Sequence, residues 1–218
     1  MSTAPIIQSE QPITGPQPVM AFTAGAIRPP DEADMLDWRT EPGSPALIWA
    51  VGCHGGAGVS TLATQLAHVG DSGQRWPARP DEAPFVVLIA RESARGLAAA
   101  EVAARQYHTG HAPGHTRLLG LVLVAAQPKQ SSLTGKKPAP SLRRHRELIV
   151  TLFNHIWRID WHRHLIERPL TDLPSAGPDE PPVKKDFDPA VHVAPDILTL
   201  GRELRDHARA ALQQTSQP

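Results

Sequence analysis

The 218-residue chain is short of several things at once. It has one cysteine, Cys53, which excludes an internal disulfide framework and any metal site built from several thiolates. It has no net charge, 22 basic side chains against 22 acidic ones, so no global field draws it to nucleic acid or to a membrane. No apolar run approaches the roughly 18–20 residues of a membrane span. The first residues lack the basic-then-apolar order of a secretory leader, and the expectation is a soluble cytoplasmic protein without a membrane span. Proline, by contrast, is abundant: 23 residues, about twice average usage. Most of it falls in two stretches, before residue 46 and between 169 and 195.

That distribution divides the chain. Residues 1–44 read as a disordered, Pro-rich, acidic tail with two basic side chains (Arg28, Arg39) and six acidic ones (Glu10, Asp31, Glu32, Asp34, Asp37, Glu41). Such a composition buries too little apolar surface to offset the entropy of ordering. Residues 45–168 read as one α/β domain, 169–194 as a Pro-rich linker, and 195–214 as a tethered amphipathic helix with Ile197, Leu200, Leu204, Ala208 and Leu212 on one stripe.

Within the domain, 46–51, 85–90 and 118–126 are apolar runs of the kind that strands buried on both faces produce, and 156–161 is a shorter fourth. Helices are expected over 60–69, 93–107 with Ser93 as its cap, and 141–153. Residues 70–84 read as a polar loop. Strands alternating with helices predict a three-layer α/β sandwich on about four core parallel strands.

One turn carries chemistry. After the first strand the chain reads Gly52-Cys53-His54-Gly55-Gly56-Ala57-Gly58-Val59-Ser60-Thr61. Glycines let successive N–H groups point into one concave nest, the start of a helix favours an anion, and the Ser60 hydroxyl is placed to meet Mg²⁺. The alternative is packing: the glycines serve a tight turn, and Val59 and Leu62 serve the core.

This stretch resembles the deviant Walker A loop of the ParA/MinD-type partition ATPases, x-K-G-G-x-G-K-[ST]-T. Gly55, Gly56, Gly58, Ser60 and Thr61 match it. His54 stands where that family has its signature lysine, and Val59 where working P-loops have the phosphate-binding lysine. More weakly, 85–96, 119–127 and 156–161 are similar to later strands of that family. The resemblance implies a reduced P-loop-like fold and a cofactor site made of His54, Gly55, Gly56, Ala57, Gly58, Val59, Ser60 and Thr61. Arg91, at the end of a strand that neighbours the loop, would replace part of the lost charge, as would His54 when protonated. The ligand implied is weakly held ATP or ADP with Mg²⁺ on Ser60. The partners expected are an unidentified protein or a second copy in a homodimer.

The departures bear on activity. Only about 15 residues separate the first helix from the second strand. No apolar run ends in an acid near Ser60, and Asp160 is expected to lie too far away. Without the lysines and a metal-binding aspartate, hydrolysis is not expected, because phosphoryl transfer relies on positioned positive charge. The function expected is a degenerate, non-hydrolysing, nucleotide-responsive or scaffolding factor. Two alternatives stand beside it. One is a weak ATPase completed by a partner. The other is an accessory protein that makes weak nucleic-acid contact through Lys129, Lys136, Lys137, Arg143, Arg144 and Arg146, six cations with no acid among them. The histidines at 108, 111, 115, 155, 162 and 164 lack zinc-site spacing and read as solvent-exposed.

Overall fold

The computed structural model describes residues 27–128, 140–183 and 185–215. In chain order its elements are β1 (Asp37–Arg39), β2 (Ile48–Gly52), α1 (Val59–Gln65), β3 (Val69–Asp71), β4 (Arg75–Pro77) and β5 (Phe85–Arg91). Then come α2 (Ala94–His108), β6 (Arg117–Val124), α3 (Pro140–Val150), β7 (Ile156–Ile159), α4 (His164–Glu167) and α5 (Pro195–Thr215).

Five strands form one parallel sheet in the order β3-β2-β5-β6-β7. Both faces of the central strands are covered, which is why β2 and β5 are apolar at successive positions. Ile48, Ala50, Val87 and Ile89 face a layer made by Leu62 of α1, Leu66 just after it, and Ile197, Leu200, Leu204 and Ala208 of α5. Trp49, Val51, Val86 and Leu88 face Leu97, Ala100 and Ala104 of α2 and Ile149 of α3. The protein is therefore a three-layer α/β sandwich, with one more strand in its five-stranded sheet than the apolar runs announce. Ser93 starts α2 by accepting the Gly96 N–H at 3.1 Å, and Arg105 and His108 sit in the last turn, where the helix dipole favours cations.

The extra strand comes from 70–84, the stretch read as a loop. It holds β3 and β4, each three residues long and with too few apolar positions to alternate. They are fixed from outside: β3 pairs with β2 and β4 with β1, and in the turn between them Ser72 N–H donates to the Ala50 carbonyl at 3.0 Å and Gly52 N–H to the Gly73 carbonyl at 2.7 Å. As β3 begins at Val69, α1 ends at Gln65, earlier than its apolar stripe suggests.

The tail reading fails for residues 27–44; residues 1–26 lie outside the described residues. β1 pairs in parallel with β4, and Arg39 is buried with its guanidinium 4.2 Å from the centre of the Trp49 ring. The buried Gln106 side chain accepts from Leu36 N–H (2.9 Å) and Trp76 Nε1 (3.1 Å) and donates to the Leu36 carbonyl (2.8 Å). Polar side chains hold this segment where its own apolar content could not. The linker and tether readings change in the same way. Leu173, Ala176, Val193 and Ala194 are buried, Ala176 N–H donates to the Gln65 carbonyl at 3.0 Å, and α5 forms part of a helical layer. Trp157 packs under α5, its ring 5.3 Å from that of His207, whereas Trp161 lies past the end of β7.

Several histidines tie this layer to pH. Burial lowers the proton affinity of His68 despite its bond to the Gly201 carbonyl. Burial, then His207, lowers that of His155, and burial, then His162 and Arg168, lowers that of His164. A histidine depressed in the fold contributes its full stability above the unfolded value of about 6.5 and loses it as pH falls, because the unfolded chain takes up the proton first. Two carboxylates act lower down. Burial raises Glu82 and Asp196, but Arg39 and Gly43 outweigh it at Glu82, and His162 and the Asp160 N–H at Asp196. Both end below their ordinary values, so their contribution is complete above about pH 4.5 and lost below it. Calorimetric melting should give a flat midpoint from pH 8 to 7. The midpoint should then fall by roughly 2–4 °C per kcal/mol lost towards pH 5, with a further fall below 4.5. A midpoint unchanged or raised between pH 7.5 and 5 would contradict these shifts.

Candidate functional site

The chain leaves β2 for β3 on one side and later enters β5 on the other, so the sheet order reverses at the C-terminal end of β2. In open parallel sheets such a switch point leaves a crevice outside the strand ends, and small ligands bind there. The Gly-rich loop 53–58 lies at this point.

A cleft of about 500 Å³ opens beside it. Its lining includes His54, Gly55, Gly56, Ala57, Gly58, Val59, Ser60 and Thr61, and also Arg91 from β5. The first eight are neighbours in sequence; Arg91 arrives through the β2–β5 pairing, which sets Gly52 against Ile89. Gly56 and Gly58 have φ of +75° and +106°, conformations strained for any other residue. Among the described residues, the N–H groups of Gly55, Gly56, Gly58, Val59, Ser60 and Thr61 donate to no backbone carbonyl outside the helix, and the donors stay available at the loop. With α1 only two turns long, these N–H groups matter more than its dipole.

His54 and Arg91 hold the loop to the sheet. The Arg91 N–H donates to His54 Nε2 at 3.1 Å, and His54 Nδ1 lies 2.9 Å from the Gly55 carbonyl. A carbonyl only accepts, so the network assigns the proton to Nδ1 of a neutral ring. His54 therefore serves as a brace here, not as a replacement cation. The Arg91 guanidinium donates to the Gly56 and Ala125 carbonyls, both at 3.2 Å. Val59 divides its role. Its side chain is in the core against the end of β2, 3.0 Å from where a Cβ on Gly52 would stand, while its backbone borders the cleft. Packing and cradle coexist at this turn.

Sequence reasoning missed the acid. Ser60 Oγ donates to Asp71 Oδ2 at 2.6 Å, and Asp71 Oδ1 accepts the Gly73 N–H at 2.7 Å. Asp71 ends β3, the strand beside β2: none of the apolar runs ends in an acid near Ser60, but a short strand from the stretch read as a loop does. Only the strand order reveals it. Gln74 borders the cleft from the following turn, and Leu165, Arg168, Pro169 and Leu170 border it from the segment after β7. Asp160 does not line the cleft; with His162 it lines a small side pocket of about 40 Å³ that shares Gly58, Thr61 and Arg91 with the cleft.

Other candidates fall into place around this. Burial pushes the Cys53 thiol up to about 12, which leaves no thiolate at neutral pH. No three His, Cys, Asp or Glu side chains among the described residues are grouped to hold a metal ion. Of the basic segment, Arg143 and Arg144 are exposed on α3, and Arg146 pairs with Glu92 at 3.0 Å. Lys129, Lys136 and Lys137 lie outside the described residues. No described helix is long and apolar enough to cross a membrane.

Residues 46–147 match the model of a family described as "Family of unknown function (DUF6668)", just under half the chain. The match contains the loop, Asp71 and Arg91, and ends before Arg168 and α5. No curated protein and no solved structure matches the chain.

Proposed function

We propose that the cleft binds a nucleoside polyphosphate with Mg²⁺, and that the protein is a degenerate P-loop factor of ParA/MinD-like type. In this reading it responds to the nucleotide or scaffolds a partner and does not hydrolyse. The observation that carries it is the Ser60–Asp71 hydrogen bond beside a glycine cradle at the switch point of the sheet. A serine hydroxyl and one carboxylate are hard oxygen donors, and Mg²⁺ is commonly held by one or two carboxylates together with substrate phosphates. The ion would neutralise phosphate charge; the loop N–H groups would orient the phosphates, and His54 and Arg91 would keep the loop in register with the sheet.

Each missing lysine removes a charge-assisted hydrogen bond worth about 1.5–3 kcal/mol, roughly 10–150-fold in affinity. Binding is thus weak and turnover unsupported. The nucleic-acid reading has Arg143 and Arg144 in its favour, but Arg146 is already neutralised by Glu92.

Calorimetric titration with ADP and ATP tests the proposal. Binding should require Mg²⁺, and Ser60→Ala should weaken it about tenfold or more without lowering the melting midpoint by more than a few degrees. Affinity indifferent to both Mg²⁺ and Ser60→Ala would refute it, as would no binding at millimolar nucleotide.

A further inference from the structure

We propose that Arg91 and Arg168 form a two-arginine clamp on the cleft, supplying within one chain the positive charge its loop lacks, for a ligand with at least two linked phosphoryl groups. The inference rests on the polyphosphate reading above and adds the source of its charge. Val59 and His54 occupy the positions where the resembled loops carry lysine, and His54 is engaged as a neutral ring. The cleft still has two cations among its lining residues. Arg91 comes from the end of β5 and is fixed by the Gly56 and Ala125 carbonyls.

Arg168 comes from the opposite end of the sheet's chain order. It follows α4, where the backbone turns extended (φ −108°, ψ 141°), and its Nη1 donates to the Pro189 carbonyl at 3.2 Å. That tether is a carbonyl, not a carboxylate, so the guanidinium is positioned without being neutralised. A guanidinium keeps its charge in any such setting and presents a planar fork that suits phosphate oxygens. Leu165, Pro169 and Leu170 border the cleft around it. The two guanidiniums stand on separate elements. A single phosphate on the loop meets Arg91, and a second linked group is what brings Arg168 into play.

Inorganic pyrophosphate and inorganic phosphate, each with Mg²⁺, separate these contributions without a base or ribose. On the full chain, pyrophosphate should bind at least about tenfold more tightly than phosphate. Arg168→Gln should weaken pyrophosphate about 10–100-fold, leave phosphate unchanged and leave the ligand-free melting midpoint unchanged. Arg168→Met, which keeps apolar length beside Pro189, should show the same loss, and Arg168→Lys should recover part of it. If Arg168→Gln and Arg168→Met both bind pyrophosphate as the wild type does while Ser60→Ala does not, the clamp is wrong and the polyphosphate site stands. If the wild type binds neither pyrophosphate, ADP nor ATP, both are wrong.

Discussion

Replacing Arg39 by alanine should cost about 3–5 kcal/mol, the usual loss when one partner of a buried ion pair is removed. Arg39 and Glu82 meet at 2.6 Å with side chains 6% and 11% exposed. Arg39 Nε also donates to Ser72 Oγ at 3.0 Å, and its guanidinium covers Trp49, a residue of β2. The variant leaves Glu82 with the Gly43 N–H and a distant Arg79, at 3.9 Å, and strips a cation from the Trp49 ring. Denaturant unfolding of the full chain measures it. A loss below about 1 kcal/mol would show that residues 27–44 are an appendage, and that β1 and β4 contribute little. Arg39→Met combined with Glu82→Leu should recover much of the loss, since apolar replacement of both charges removes the desolvation cost.

Gly96→Ala is expected to cost about 2–3 kcal/mol, and it reaches the site as well as the fold. A Cβ on Gly96 would stand 2.1 Å from the Arg91 carbonyl oxygen and 3.1 Å from its nitrogen, so α2 must move off the end of β5. That nitrogen is the donor to His54, and the side chain of the same residue holds Gly56 and Ala125. The variant should therefore melt lower and bind nucleotide more weakly. Gly114→Ala, at a position with nothing within 4 Å of the added Cβ, is the control that should do neither. Full affinity with a lowered midpoint would separate α2 seating from the loop.

The contrast between what is legible in the sequence and what is not follows the range of the forces involved. β2, β5 and β6 announce themselves because both of their faces are buried, and α2 because Ser93 caps it from within the segment. β3 and β4 carry no such local mark; β3 exists because β2 offers it backbone partners, and β4 because β1 does. Residues 27–44 and 169–194 are polar and Pro-rich enough to read as unstructured. They are held by Gln106, Glu82 and the Ala176 bridge to Leu66, all distant in sequence. The site divides in the same way. Its loop is contiguous and visible whole, and Arg91 follows from the adjacency of two apolar runs. Asp71 requires the strand order, and Arg168 requires the return of the chain after β7, neither of which any spacing encodes.

Amide chemical-shift mapping of the ¹⁵N-labelled full chain, titrated with ADP in the presence of Mg²⁺, tests the central claim most directly. The account predicts saturable shifts at Gly55, Gly56, Gly58, Ser60, Thr61, Asp71 and Gly73, all of them lost when Mg²⁺ is left out. Shifts confined to α3, or none at millimolar nucleotide, would contradict it.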